Sequence, residues 1–146
     1  MKRIGAFLLL CALVCCLFGC TKGNYADVTP NCDAIQNICF QRTNIDENNV
    51  YTYFEKNIAE KSEVESLCAS LDKIKFVKID PVKFSSADYL IVFEGKKTHK
   101  LMVSKNQIIY DGLAYEAVGG KLTETLDKIY GKFSQQEVAA DSKLFK

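Results

Sequence analysis

The chain has 146 residues, of which 25% are charged, and its formal net charge is only +1. This length suits one domain and leaves little room for two. Because basic and acidic residues nearly balance, the composition excludes a strongly basic protein that binds nucleic acid through its overall charge.

The first twenty residues have the pattern of an export signal. Lys2 and Arg3 precede a nearly unbroken apolar run over residues 4–18. A run shorter than the roughly 20 residues of a membrane-spanning helix, placed behind a basic head, is typical of a secretory signal that is removed. The polar residues Thr21 and Lys22 follow at once, so the signal is predicted to end beside Cys20.

The run Leu17-Phe18-Gly19-Cys20 resembles the lipobox of bacterial lipoproteins. The resemblance implies that residues 1–19 are a signal peptide cut off after Gly19, and that Cys20 carries a diacylglyceryl group. Two acyl chains hold a protein stably on a membrane. We therefore expect a lipoprotein anchored outside the cytoplasm, on the outer face of a plasma membrane or on an outer membrane if the host has one.

Residues 20–49 are predicted to form a lipidated tether, because they are rich in Asn, Asp, Thr and Gln and show little apolar periodicity. An oxidising exterior favours pairing among the remaining cysteines. Cys32 and Cys39 are close in sequence, so a small disulfide loop between them is one expectation and two separate thiols the other. Their spacing does not fit a zinc site and the only histidine, His99, is distant, so we predict no metal and no cofactor.

Residues 50–133 are predicted to form the folded domain, which starts with a strand over residues 50–54 that is dense in β-branched and aromatic side chains. Ser62 and Glu65 have the spacing of a capping box at the start of a helix. The helix is amphipathic, and its apolar stripe contains Cys68, which we expect to be a buried, inert thiol.

Short strands follow at residues 75–79, 89–93, 99–103, 107–110 and 113–118, with an Asp111-Gly112 hairpin between the last two. A second amphipathic helix is predicted from about Lys121 to Lys132, and a loosely held tail over residues 134–146. The sequence therefore predicts an α+β domain. Its antiparallel meander has about five strands, and two amphipathic helices pack on one face.

No catalytic set emerges from the sequence. His99 lies in a predicted strand among lysines, which is more typical of a solvated residue than of a nucleophile's partner. The serines occupy capping and turn positions without a Gly-x-Ser-x-Gly elbow, and Gly119-Gly120 lacks the spacing of a phosphate loop. We therefore expect a protein that is not an enzyme.

Two features favour binding instead: a set of strand aromatics, and basic residues around one predicted turn. The basic residues are Lys96, Lys97, Lys100 and Lys105. They are expected either to face an anionic envelope polymer or to be a solvated loop. The leading hypothesis is a binding module for an envelope protein or glycan. The alternatives are an immunity or inhibitor protein against a toxin or hydrolase, and an accessory subunit of an envelope complex.

Overall fold

The computed structural model describes residues 24–140, so the predicted signal peptide and Cys20 lie outside the described residues. This part of the chain is an α+β fold with one large antiparallel sheet and two helices. The strands are β1 (Ile35–Ile45), β2 (Tyr51–Ile58), β3 (Phe76–Lys78), β4 (Tyr89–Gly95), β5 (His99–Ser104), β6 (Gln107–Tyr110), β7 (Leu113–Ala117) and β8 (Val138–Ala140). The helices are α1 (Lys61–Leu71) and α2 (Leu122–Lys132), and a single 3-10 turn (Cys32–Ala34) precedes β1.

The strands are arranged in the order β3-β7-β6-β5-β4-β1-β2-β8, and every neighbouring pair is antiparallel. Strands β4 to β7 form the predicted meander of consecutive hairpins. The Asp111-Gly112 turn between β6 and β7 is confirmed, since both residues have positive φ, at 47° and 86°. That is the backbone of a type I′ turn, whose twist matches that of the paired strands.

The predicted tether over residues 20–49 contains a central strand, so the boundary placed at residue 50 is corrected. β1 lies between β4 and β2, and its Ile38 and Phe40 are fully buried. Residues before β1 also contact the sheet, because the Ala26 N–H donates to the Phe76 carbonyl over 2.8 Å. Few apolar residues of β1 face the core and its other face is polar, so the apolar pattern of this strand in the sequence is weak.

The sheet is larger than the predicted meander of about five strands, because eight strands occur within residues 24–140. Besides β1, the prediction missed β8, which lies in the expected loose tail. Ala139 of β8 pairs with Phe54 of β2. A three-residue strand of small side chains has no distinctive pattern of its own, and its position depends on the partner strand.

The helices are present where predicted, but their ends and packing differ in detail. Glu60 is the N-cap of α1 and makes no side-chain capping bond, so the capping box of Ser62 and Glu65 is wrong. Helix α1 packs on β1 and on the 3-10 turn, both of which lie in the predicted tether. Helix α2 begins at Leu122, after Lys121 in the left-handed region with φ 68°.

The disulfide joins Cys32 to Cys68, which corrects both the predicted Cys32–Cys39 loop and the buried thiol at Cys68. The 3-10 turn places Cys32 beside α1, whereas Cys39 is on β1 and its side chain lies on the other face of the sheet. The bond therefore links the 3-10 turn that precedes β1 to the first helix across a sequence separation of 36.

The main core lies between the two helices and one face of the sheet. Phe40 is at its centre, with ring centroids 5.0 Å from Tyr130, 5.5 Å from Tyr89 and 6.5 Å from Phe133. Within residues 24–140, neither helix is long and apolar enough to cross a membrane. Neither of the two helices within residues 24–140 lies on the opposite face of the sheet, and that face carries the candidate site.

Candidate functional site

A groove of about 380 Å³ runs across the open sheet face, over β1, β2, β4 and β5. Alternate residues of a strand point to opposite faces, so the neighbours of the core residues line this groove. The lining residues are Asn37, Cys39, Gln41, Glu55, Asn57, Leu90, Val92, Glu94, Thr98 and Lys100. The groove is thus built from two hairpins, β1–β2 and β4–β5, which are distant from each other in sequence and adjacent in the sheet.

Hydrogen bonds hold the polar side chains of the groove, two of them between neighbouring strands and one within β2. Asn37 Nδ2 donates to Glu94 Oε2 over 2.9 Å, which links β1 to β4. Cys39 Sγ donates to Glu55 Oε2 over 3.4 Å, and Asn57 Nδ2 donates to Glu55 Oε1 over 3.4 Å. Both carboxylates are therefore oriented by partners on the protein, and a polar ligand would meet acceptors that are already positioned.

The floor of the groove is less polar than its walls. Leu90 is buried and packs with Ala87, and Val92 and Met102 lie against this small cluster. Gln41 is also in the floor and is only 1% exposed. A concave site with an apolar floor and a few placed polar groups is the usual form of a ligand site in proteins.

The four predicted lysines do not form one patch. Lys100 lines the groove, and Lys96 and Lys97 are exposed in the turn between β4 and β5 at the same end. Lys105 lies beyond the other end of β5, where its N–H donates to Asp88 Oδ2 over 2.6 Å. A strand of this length spans roughly 20 Å. The groove therefore has Lys100 in its wall and two further lysines near one end.

His99 takes part in a structural contact at the β6–β7 turn. Its Nδ1 lies 2.6 Å from Asp111 Oδ2, and its ring stacks on Tyr110 with centroids 5.9 Å apart. The other Asp111 oxygen accepts the Lys100 N–H over 3.0 Å. Burial raises the pKa of Tyr110 to about 12, so its hydroxyl stays protonated. These contacts hold the hairpin turn against β5.

A second polar cluster, which the sequence did not reveal, joins Arg42, Tyr130 and Glu137 on the core side of the sheet. Arg42 Nε and Nη2 donate to the two Glu137 oxygens over 2.5 and 3.1 Å, and the Tyr130 hydroxyl donates to Glu137 Oε1 over 2.9 Å. The bond from Arg42 lowers the pKa of Glu137, and burial raises the pKa of Tyr130. These hydrogen bonds connect β1 to α2 and to the segment before β8.

The described residues contain no group of three or more His, Cys, Asp or Glu side chains arranged to hold a metal ion. A scan against protein-family models, a search of curated proteins and a search of solved structures each found no match. The function must therefore be inferred from the chain's own geometry. Among the residues that line the groove, Lys100 is the one that the sequence analysis predicted as part of a binding surface. The alternation of Asn37, Cys39 and Gln41 with Ile38 and Phe40 is the sequence signal that could have revealed its β1 wall.

Proposed function

We propose that the protein is a lipid-anchored extracytoplasmic binding module that holds another component of the cell envelope in the open-face groove. The lipobox-like run ending at Cys20 supports the anchor. The Cys32–Cys68 disulfide supports an exported location, since disulfides persist in oxidising compartments and are rare in the cytosol of most organisms.

The observation that carries the binding role is the groove itself, on a sheet face that neither helix covers. Its walls present amides from Asn37 and Asn57, the Thr98 hydroxyl, two carboxylates and the Lys100 ammonium. These groups suit a ligand rich in hydroxyl or amide groups, which describes both glycans and extended peptides. The volume of about 380 Å³ fits a small ligand or one segment of a larger one.

Site-specific photo-cross-linking in native membranes tests this role. A cross-linking residue placed at Asn57 or Thr98, both exposed at the groove, should capture one envelope component. The matched control places the same residue at Glu65, which is exposed on α1 on the other side of the sheet. Equal capture from position 65, or none from either groove position, would contradict the groove as the binding site.

The anchor is tested separately by Cys20→Ala, which should release the protein from the membrane fraction. Retention of the variant would show that Cys20 is not the attachment point. The identity of the captured component separates the versions of the binding role. One secreted toxin or hydrolase held in a stoichiometric complex would indicate an immunity protein, and a membrane assembly would indicate an accessory subunit.

A further inference from the structure

A second cleft, of about 490 Å³, opens beside the end of α1 and along α2, away from the groove. Four lysines line it: Lys73, Lys75, Lys128 and Lys132. None of the described residues that line it is an Asp or a Glu. Within residues 24–140, none of these four lysines makes an ion pair, so their positive charges are not neutralised by contacts inside the fold.

The base of the lysine cleft is apolar. Ile129 is buried there, and Ile74 and Val118 lie beside it, with Val118 48% exposed. Lysine stems can lie along such a surface while their ammonium groups remain in water. The cleft therefore offers cationic heads around an apolar base, which matches a ligand that has an anionic head and an apolar body.

The lysine cleft adjoins the place where the described chain begins. Lys75 Nζ lies 4.9 Å from the ring centroid of Tyr25, and the next residue, Phe76, accepts the hydrogen bond from Ala26. Tyr25 follows Cys20 by five residues, and even a fully extended chain of that length spans only roughly 18 Å. A lipid on Cys20 would thus hold this end of the molecule within a short distance of the bilayer.

We propose that the lysine cleft binds the phosphate headgroups of anionic phospholipids in the membrane that holds Cys20. This inference rests on the lipid anchor of the proposed function. Lysines near a negatively charged membrane surface are attracted to it, and one charge contributes about five-fold in affinity. Tyr25 is 46% exposed beside the cleft, and tyrosines favour the membrane interface.

Two carboxylates lie near this surface and reduce its charge without cancelling it. Asp27 and Asp72 border the adjoining groove that Tyr25 and Lys75 also line. The cleft and the adjoining groove together are lined by four lysines and these two carboxylates, so their combined lining keeps a net positive charge. Lys96 and Lys97, in the turn between β4 and β5, lie at the opposite end of the strands from the cleft residue Val118 and serve as internal controls.

Lysine modification on vesicles tests the proposal. The full lipidated protein is reconstituted on phosphatidylcholine vesicles, or on an equimolar mixture with phosphatidylglycerol, and treated with an acetylating reagent. On the anionic vesicles we expect Lys73, Lys75, Lys128 and Lys132 to react about five-fold more slowly than on neutral ones. Lys96 and Lys97 should react at the same rate on both. Equal rates for the cleft lysines on both vesicles would overturn the proposal.

A matched pair of variants separates the cleft from general charge. K128Q/K132Q should lose most of the protection of Lys73 and Lys75, whereas K96Q/K97Q, which removes the same charge, should keep it. Equal losses in both variants would overturn the assignment to the cleft. If inorganic phosphate on neutral vesicles gave the same protection, the ligand would be a free phosphate and the lipid would be rejected.

The experiment distinguishes an error in the proposed lipid anchor from an error in the proposed phospholipid binding by the cleft. Protein that washes off neutral vesicles would contradict the lipid on Cys20, and with it the membrane source of the ligand. Protein that stays on neutral vesicles, with no added protection on anionic ones, would leave the anchor intact and overturn only the cleft.

Discussion

Glu137 connects three parts of the chain. Its carboxylate accepts hydrogen bonds from Arg42 of β1 and from the Tyr130 hydroxyl of α2, and Glu137 itself directly precedes β8. We predict that Glu137→Gln lowers the free energy of unfolding by about 1 kcal/mol at neutral pH, since the charge-assisted bonds are lost at a partly exposed site. Urea denaturation measures the change. The matched control is Glu65→Gln, whose ion pair with Lys61 is largely exposed and should contribute less than about 0.5 kcal/mol.

The pH dependence of this effect has a definite sign. Arg42 lowers the pKa of Glu137 in the folded protein, so the carboxylate stabilises the fold above its unfolded pKa of about 4.3. That contribution is lost as the pH falls through the lowered folded pKa. The stability difference between the native protein and Glu137→Gln should therefore shrink in acid, and a difference that grew in acid would contradict the assignment.

Gly95 and Gly131 should respond in opposite ways to the same substitution. A Cβ on Gly95 would lie 2.1 Å from the Ala34 carbonyl oxygen, where backbone must move, whereas a Cβ on Gly131 in α2 meets nothing within 4 Å. We predict that Gly95→Ala destabilises by about 2 kcal/mol or more. Gly131→Ala should stabilise by up to about 1 kcal/mol. Thermal or chemical denaturation compares them, and a harmless Gly95→Ala would contradict the close approach of β4 to the 3-10 turn.

At the scale of elements, the disulfide holds the 3-10 turn on α1. We predict that C32A/C68A lowers the free energy of unfolding by about 4 kcal/mol, because the bond closes a long loop in the unfolded chain. Reductant should produce a similar loss in the native protein and little further change in the variant. Peptide mapping without reduction checks the pairing itself, and a peptide linking Cys32 to Cys39 would contradict it.

Strands with a strong local signal were predictable and the others were not. The meander from β4 to β7 follows from short apolar runs and from the Asp111-Gly112 turn, which specify their structure locally. β1 carries Arg42 beside its core residues Ile38 and Phe40, and this charged side chain is held by a partner elsewhere in the fold. The partner of Arg42, Glu137, lies 95 residues away. No window of sequence around β1 contains the contacts that make it a central strand.

At the scale of the whole molecule, the described residues before Val50, which include β1, are part of the folded domain. We predict that a chain of residues 50–146 shows no cooperative unfolding transition, because removal of β1 separates β2 and β8 from β4. The control is a chain of residues 24–146, which retains every described element and should unfold cooperatively. Circular dichroism during urea titration compares the two. A cooperative transition in the shorter chain would show that β1 is dispensable.

In the candidate site, too, residues with a local sequence pattern were predictable, and residues brought together by strand pairing were not. The sequence singled out Lys100 because it stands among other lysines. Asn37, Glu55 and Asn57 have no local mark, and they join the groove only through the pairing of β1 with β2 and β4. The lysine cleft likewise combines residues that follow α1 with residues of α2, which no spacing rule connects.

The Cys32–Cys68 bond also determines how the protein responds to mechanical load. A force applied between the proposed anchor at Cys20 and the end of the chain enters near Ala26 and reaches Cys32, where the covalent link carries it directly to Cys68. The residues between them form a closed loop that tension cannot extend, which hides roughly 120 Å of contour length. β1 and β2, which form one wall of the groove, lie inside that loop. Pulling on the ends of the chain therefore cannot unravel this wall in sequence from the anchor.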